Sequence, residues 1–85
     1  MWFVYILLCA DNSLYTGATN DLDKRFLKHK SGKGGNYTRS HMPLKIVNKE
    51  NFATKSEALK REIEIKSWNR AKKIQTFNLD ISSTA

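Results

Sequence analysis

The segment Trp2–Cys9, with the sequence WFVYILLC, restricts the possible folds more than any other part of the chain. Its side chains are apolar or aromatic on both alternating faces, which is typical of a central β-strand covered on both sides. About eight such residues cannot span a bilayer, and the segment lacks the basic start of a signal peptide. We therefore expect a buried strand in a cytoplasmic protein without a membrane-spanning segment.

Turn residues and caps predict the elements that follow this strand. The sequence Asp-Asn-Ser at 11–13 predicts a turn, and Leu14–Thr19 then predicts a second strand of a β-hairpin. Gly17 inside that strand indicates a point where another group approaches the backbone closely. Residues 19–21 supply an N-cap for a helix that runs to about Lys30, where Gly32 closes it.

The second half of the chain begins with an irregular segment, residues 31–43, that contains three glycines and the only proline. Residues 44–52 predict a third strand with imperfect alternation, which suits the edge of a sheet. Thr54 and Glu57 have the spacing of a capping box, so a second helix should run to about Trp68. Asn69 can cap a third, short helix.

The predicted order is β-β-α-β-α-α, an α+β fold with helices packed against a three-stranded, mainly antiparallel sheet. A chain of 85 residues has room for one core, so we expect a single domain over residues 1–80 and a frayed tail at 81–85. A domain of this size favours a shallow groove over a deep cavity, which suits a polymeric substrate.

The charge of the chain favours a polyanionic partner. Lysines and arginines number 15 against 8 acidic residues, a net charge of +7. Basic surfaces bind nucleic acid through phosphate contacts and counterion release, although a merely soluble basic protein has the same composition. Cys9 is the only cysteine, so an intramolecular disulfide or a cysteine-based metal cluster is excluded.

The second predicted helix places a carboxylate and an ammonium on its apolar face. Glu62 and Lys66 fall between Ala58 and Leu59 in helical projection. The other charged residues of the helix fall on the opposite face: Glu57, Lys60, Arg61 and Glu64. A carboxylate facing the core needs a partner, because burying an unpaired charge is costly. Either Lys66 pairs with Glu62 four residues away, or a bound cation does.

Two further groups of residues could contact phosphate. Arg25 and His29 flank the apolar stripe of the first helix, and an arginine fork suits phosphate oxygens, although a solvated pair would show the same pattern. Lys33, Tyr37 and Arg39 lie in the glycine-rich segment, where basic and aromatic side chains are compatible with nucleic-acid binding. An ordinary long connection is the alternative for that segment.

Several of these residues together resemble the motifs of a known family. Val4-Tyr5-Ile6 and Tyr15-Thr16-Gly17 on the predicted hairpin are similar to the two motifs that name the GIY-YIG nuclease superfamily. Arg25 and His29, followed by Glu62 on the next long helix, resemble the rest of its site. The stretches LYTGATNDLDKR, GKGGNYTR and SEALKREIEIK are similar to a short, stand-alone bacterial branch of uncharacterised proteins. Two departures are Val4 in place of glycine and Thr16 in place of isoleucine.

The resemblance implies an endonuclease that uses Mg²⁺ or Mn²⁺ to hydrolyse phosphodiester bonds, with repair or recombination as the expected setting. DNA is favoured over RNA as the substrate. It implies that Glu62 holds the metal ion and that Arg25 binds the scissile phosphate. Tyr5 would be the general base for the attacking water, while Tyr15 and His29 would position water or assist proton transfer.

A shared role for the two tyrosines depends on the hairpin. A two-residue loop that pairs Ala10 with Ser13 would point Tyr5 and Tyr15 to opposite faces of the sheet. A three-residue loop that pairs Ala10 with Leu14 would place both phenols on one face. The catalytic interpretation favours the second arrangement.

Two other functions remain open from the sequence. The chain could be a nucleic-acid-binding module that has the nuclease fold and little activity alone. The residues expected to bind nucleic acid are Lys28, Lys33, Tyr37, Arg39 and Lys66. Alternatively, an exposed Trp68 and the last helix could bind a protein partner, and such a partner could also supply specificity to a nuclease. The sequence does not indicate an oligomeric state.

Overall fold

The structure of the chain, a computed structural model, describes residues 1–30 and 43–79, apart from the side chain of His29. Six elements follow one another: β1 (Trp2–Cys9), β2 (Leu14–Thr19), α1 (Leu22–Lys30), β3 (Pro43–Phe52), α2 (Lys55–Lys66) and α3 (Arg70–Phe77). This order confirms the predicted α+β fold. The candidates Lys33, Tyr37 and Arg39 and the tail at 81–85 lie outside the described residues.

The sheet places β1 at its centre, in the order β2-β1-β3, and both pairings are antiparallel. Residues 4–9 of β1 are each at most 1% exposed, as expected for a strand covered on both sides. β3 lies at one edge of the sheet, in agreement with its imperfect alternation, and β2 lies at the other edge. Two register irregularities interrupt the pairing of β1 with β3, after Ile6 and after Leu8.

The turn between β1 and β2 is a three-residue loop, residues 10–12. The Cys9 N–H donates to the Ser13 carbonyl at 2.9 Å, and the Asn12 N–H donates to the Cys9 carbonyl at 2.8 Å. Asn12 has a φ of 70°, in the left-handed region that asparagine tolerates. The Asp11 carboxylate accepts a hydrogen bond from the Ser13 N–H at 3.1 Å and thereby fixes the turn.

The position of this loop differs from the expectation, whereas its length agrees with it. Leu14 pairs with Leu8 and not with Ala10, so the loop begins one residue earlier than predicted. The three-residue length still gives the register that the catalytic interpretation needs. Tyr15 pairs with Leu7, and Tyr5 lies two residues before Leu7 in β1, so both phenols project from the same face.

The opposite face of the sheet forms the main hydrophobic core. Val4 and Ile6 pack there with Ala58 and Ile65 of α2 and with Leu79, which follows α3. Partly buried side chains surround this cluster: Trp2, Leu14, Ala18, Val47, Phe52, Trp68, Ile74 and Phe77. The helices α2 and α3 thus cover one side of the sheet, and α2 contacts all three strands. No helix within the described residues is long and apolar enough to cross a membrane.

The predicted caps of α2 and α3 are confirmed. The Thr54 hydroxyl accepts a hydrogen bond from the Glu57 N–H at 3.3 Å and donates to the Glu57 carboxylate at 3.0 Å. The Asn69 side chain accepts from the Lys72 N–H at 2.8 Å. These bonds satisfy amide groups that have no partner within a helix. α2 ends at Lys66, two residues before the expected end.

The predicted apolar face of α2 is only partly correct. Ala58 and Ile65 are fully buried, as expected, but Leu59 is 36% exposed and Ile63 is 67% exposed. The sheet beneath α2 is only three strands wide, so the covered stripe of the helix is narrower than its apolar pattern.

Arg61, predicted to lie on the solvent face of α2, is instead half-buried. Its Nε donates to Glu50 of β3 at 2.8 Å, and its Nη1 donates to Glu64 at 2.6 Å. Its guanidinium lies 5.3 Å from the ring centre of Trp68 and 5.6 Å from that of Phe77. Because Trp68 packs against Phe77, it is partly buried and not the exposed side chain that was expected.

Candidate active site

The two tyrosines meet on the face of the sheet opposite the main core. The ring centres of Tyr5 and Tyr15 are 6.4 Å apart, and the ring planes are inclined by 42°. Tyr5 is 1% exposed, whereas Tyr15 is partly exposed. One phenol is therefore enclosed by the protein, and its neighbour can reach solvent or a bound molecule.

Gly17 explains how the Tyr5 ring fits against the sheet. Gly17 pairs with Tyr5 across the two strands. A Cβ atom added to Gly17 would lie 2.5 Å from the Tyr5 Oη and 3.2 Å from the Tyr15 Cε2. The ring of Tyr5 therefore lies over the backbone of β2, and its hydroxyl reaches the edge strand. The close approach that the sequence predicted at Gly17 is confirmed.

Arg25 and Glu62 complete this arrangement. Burial raises the pKa of the Tyr5 phenol well above its ordinary value of 10.0. The Tyr15 phenol also raises this pKa, Arg25 lowers it, and Glu62 raises it. These influences place Tyr15, Arg25 and Glu62 each within electrostatic range of the Tyr5 phenol. At neutral pH the Tyr5 phenol is a neutral hydrogen-bond donor.

Arg25 lies in the first turns of α1, beside a cleft of about 210 Å³. The cleft is lined by Thr19, Asp21, Lys24, Arg25 and Lys28. The Asp21 carboxylate is engaged in capping the helix, because it accepts a hydrogen bond from the Lys24 N–H at 3.1 Å. Three cationic side chains therefore face the cleft against one occupied carboxylate, which favours an anionic ligand.

Glu62 lies on α2 between the core and solvent. Its side chain is 17% exposed, and its Oε2 lies 3.4 Å from the ammonium of Lys66, whose side chain is 52% exposed. The ion pair predicted from the helical spacing is therefore present. It joins one mostly buried charge to one that is mostly hydrated, so the carboxylate can exchange this partner for another cation.

The donor set near Glu62 suits only a particular kind of metal ion. Within the described residues, no group of three or more His, Cys, Asp or Glu side chains could hold an ion. Zinc prefers several nitrogen or sulfur ligands and does not fit such a site. Mg²⁺ and Mn²⁺ keep several water ligands and can bind through one or two carboxylates, so they fit Glu62.

The structure adds Lys73 of α3, which the sequence interpretation missed. Its ammonium donates to the Thr16 Oγ1 at 3.3 Å, and Thr16 is 3% exposed. Burial lowers the pKa of Lys73, and the nearby charge of Lys66 lowers it further. A sequence signal for this position existed, because Lys73 lies four residues before Phe77 on the side of α3 that faces the sheet.

The predicted site residues thus fall into three groups. Tyr5, Tyr15, Arg25 and Glu62 come together, with Lys28 on the cleft beside Arg25 and Lys66 paired to Glu62. His29 lies on α1 one turn after Arg25, and its side chain is not described. Lys33, Tyr37 and Arg39 are outside the described residues and stay predictions.

Comparisons with known proteins match the chain to one family. The family model of the GIY-YIG catalytic domain matches residues 1–75. A UPF0213 protein of Staphylococcus saprophyticus is 51% identical over 76 residues, which cover 89% of this chain and 93% of the relative. A UPF0213 protein of Bacillus pumilus is 52% identical over 71 residues, covering 84% and 72% of the two chains.

A solved structure extends the similarity to three dimensions. It is the solution NMR structure of a UPF0213 protein from Bacillus halodurans, which is 47% identical to this chain. The match has a TM-score of 0.59 and covers 92% of this chain and 84% of that one. The α+β fold described above is therefore shared with this relative.

Proposed function

Since the chain belongs to the GIY-YIG family and carries its nuclease-type module, we propose that it is a metal-dependent endonuclease that hydrolyses phosphodiester bonds in DNA. The observation that carries the proposal is the grouping of Tyr5, Tyr15, Arg25 and Glu62 from four different elements around one buried phenol. Helix packing alone does not require a carboxylate, a guanidinium and two phenols to lie together on a small domain.

The scissile phosphate binds at Arg25 in this proposal. The guanidinium can donate two parallel hydrogen bonds to phosphate oxygens, and Lys24 and Lys28 on the same cleft add positive charge. The cleft opens to solvent, so a polymer can cross it without threading. Lys28 then contacts the backbone next to the phosphate that Arg25 holds.

Glu62 is the residue that would hold a divalent ion, Mg²⁺ or Mn²⁺. When bound, the ion supplies Lewis-acid stabilisation of the charge that develops on the phosphate oxygens. With an ion in place of Lys66 at the Glu62 carboxylate, the Lys66 ammonium would be available to contact the nucleic-acid backbone. The cost of this exchange is small because Lys66 is largely hydrated already.

The raised pKa restricts what Tyr5 can do in the reaction. As a neutral phenol it donates a hydrogen bond to an oxygen of the phosphate or of the attacking water. It can accept a proton only as the phenolate, after losing its own proton, and nearby positive charge such as that of Arg25 favours this loss. The general-base role expected for Tyr5 therefore requires further positive charge beside the phenol. Tyr15 is partly exposed and positions the water, with His29 as a further candidate.

A cleavage screen tests the proposal. Purified protein is incubated with branched, double-stranded and single-stranded DNA, and with RNA, in Mg²⁺ or Mn²⁺. Glu62→Gln and Arg25→Met should each lower the rate about 100-fold or more, whereas Glu64→Gln on the same helix should retain it. Circular dichroism establishes that all variants are folded. The proposal is refuted if folded protein cleaves none of these substrates, or if Glu62→Gln cleaves as fast as the unaltered chain.

The screen also addresses the expected biological setting. Preference for branched over linear DNA would support a role in repair or recombination. Faster cleavage of RNA than of DNA would overturn the assignment of DNA as the substrate.

A second candidate function is a nucleic-acid-binding module with little hydrolytic activity of its own. Two observations favour it: the protonated Tyr5 phenol and the existing pair between Glu62 and Lys66. This function predicts salt-sensitive DNA binding without turnover, weakened by Lys28→Met and unchanged by Glu62→Gln. A screen in which Glu62→Gln abolishes cleavage decides against it.

A further inference from the structure

We propose that Lys73, held in place by Thr16, binds a phosphate of the nucleic-acid backbone on the α3 side of the candidate active site. The proposal rests on the proposed function only in taking nucleic acid as the ligand. It concerns binding and does not require hydrolysis.

The position of Lys73 is fixed by a contact with the second tyrosine motif. The Lys73 ammonium donates to the Thr16 Oγ1 at 3.3 Å, and Thr16 is a buried residue between Tyr15 and Gly17 in β2. The family motif has isoleucine at this place, which could not accept a hydrogen bond, so the threonine of this chain provides the acceptor. An ammonium has three N–H donors, and Thr16 accepts from one of them.

The charge of Lys73 is not neutralised by the part of the chain that the structure describes. No carboxylate among residues 1–30 and 43–79 forms an ion pair with it. Burial lowers the pKa of Lys73, and the like charge of Lys66 lowers it further. A partly desolvated cation with a second cation in electrostatic range is costly in the free protein, and an anion that binds Lys73 relieves that cost.

Lys66 connects this anion site to the catalytic carboxylate. Lys66 lies within electrostatic range of Lys73, and its ammonium is 3.4 Å from Glu62. A phosphate held by Lys73 would therefore lie near the pair of Lys66 with Glu62. Arg25 approaches the two phenols from α1, so a backbone that crosses the site would contact cations from two different helices.

The neighbouring Lys72 provides a matched control on the same helix. Its ammonium lies 4.8 Å from the ring centre of Trp68, the residue is exposed, and it projects about 100° round the helix from Lys73. Lys72 and Lys73 thus have the same charge and adjacent positions but different surroundings. Removing either charge changes the net charge of the protein equally, so a difference between them reports on position.

Fluorescence anisotropy with a fluorescein-labelled DNA duplex tests the inference, and EDTA in the buffer removes the metal ion that the proposed hydrolysis requires. The measurement is repeated across a series of salt concentrations. Lys73→Met should weaken binding roughly tenfold, as expected for a charge-assisted hydrogen bond. It should also lower the slope of log affinity against log salt by about 0.9, the value for one phosphate contact to duplex DNA. Lys72→Met should leave the slope unchanged.

The role of Thr16 has its own measurement. Thr16→Val removes the acceptor and keeps every charge, so binding should weaken less than in Lys73→Met while the salt slope stays the same. Lys73→Gln retains a hydrogen-bond donor without the charge, and it should show the reduced slope of Lys73→Met. Circular dichroism spectra should be unchanged in all of these variants. Lys73→Met in particular removes a partly buried charge that is costly to the folded protein, so this variant should keep the fold.

The outcomes separate this inference from the proposed function. If Lys73→Met and Lys73→Gln both bind with the affinity and slope of the unaltered chain, or if Lys72→Met causes an equal loss, the inference is wrong even when the protein cleaves DNA. If the slope falls only in the Lys73 variants and the protein cleaves nothing, the inference holds and the endonuclease proposal fails.

Discussion

Replacement of Gly17 by alanine offers a direct test of how the site is built. The added methyl group would lie 2.5 Å from the Tyr5 Oη and 2.7 Å from its Cζ, and both distances are far below van der Waals contact. Tyr5 is 1% exposed, so its ring cannot move aside into solvent. Either the ring changes position within the core or β2 moves away from it.

The expected magnitude follows from two opposing effects. Overpacking a closely packed site costs about 1–3 kcal/mol. Alanine also restricts the unfolded chain and favours the extended backbone, and these effects stabilise the folded protein by about 0.5–1 kcal/mol. The net loss in the free energy of unfolding should be up to about 2.5 kcal/mol, with a midpoint of about 1.3 kcal/mol that corresponds to a decrease of about 5–10 °C in Tm for a domain of this size.

Urea and thermal denaturation monitored by circular dichroism measure this loss. Tyr5→Leu provides the control, because leucine removes the far end of the ring that the new methyl group would meet. On the Tyr5→Leu background, Gly17→Ala should be neutral or stabilising, and the double-mutant cycle should give a coupling of about 1–3 kcal/mol. An equal effect of Gly17→Ala on both backgrounds, and so no coupling, would refute the conclusion that the Tyr5 ring packs against Gly17.

Three further predictions concern stability. The free energy of unfolding should fall above about pH 10, because the raised pKa keeps the buried Tyr5 phenol neutral in the folded chain while the phenol ionises in the unfolded chain. Tyr5→Phe should make this fall less steep by up to ~1.4 kcal/mol per pH unit. Equal slopes for the two proteins in urea titrations at alkaline pH would contradict this. Arg61→Met should lower the free energy of unfolding by about 1–3 kcal/mol, because Glu50 loses this partner. The double variant Glu50→Gln/Arg61→Met should lose less than the sum of the two single variants, which would confirm that the two side chains are coupled. Ile65→Ala should cost about 2–5 kcal/mol, whereas Ile63→Ala should change stability by less than about 0.5 kcal/mol, as tested by urea denaturation; similar losses for both would contradict their assigned burial.

The elements of the fold could be predicted because their signals are local. Both faces of β1 carry apolar side chains, so the central position of this strand in the sheet follows from its own eight residues. Thr54 and Glu57, and likewise Asn69, act on amides only three residues away, and their hydrogen bonds form as expected. A helix cap can therefore be predicted without knowledge of the tertiary structure.

The surroundings of individual side chains could not be predicted in the same way. Helical projection gives the direction of Arg61 on α2, but the partners that bury it are Glu50 in β3 and the rings of Trp68 and Phe77. Ile63 has the expected direction for an apolar residue, yet no element covers it among the described residues. Contacts between separate elements decide both outcomes.

The candidate site was predicted only in part, because some of its contacts are local in sequence and others join separate elements. Glu62 was conspicuous because its helix places it on the side of Ala58, and its pair with Lys66 follows from their spacing of four residues. The approach of Tyr5 to Gly17 depends on the strand register, and the hairpin loop begins one residue earlier than expected. Lys73 was missed because its partner Thr16 is distant in sequence.

The origin of the site in four elements couples ligand binding to the folding equilibrium. An unfolded chain does not hold Tyr5, Arg25 and Glu62 together, so a ligand that contacts all of them binds only the native state. Such a ligand at 100 times its Kd adds about 2.7 kcal/mol to the free energy of unfolding. For a small domain this is a readily measured rise in Tm, so thermal-shift screening of metal ions and oligonucleotides can identify ligands before any catalysis is detected.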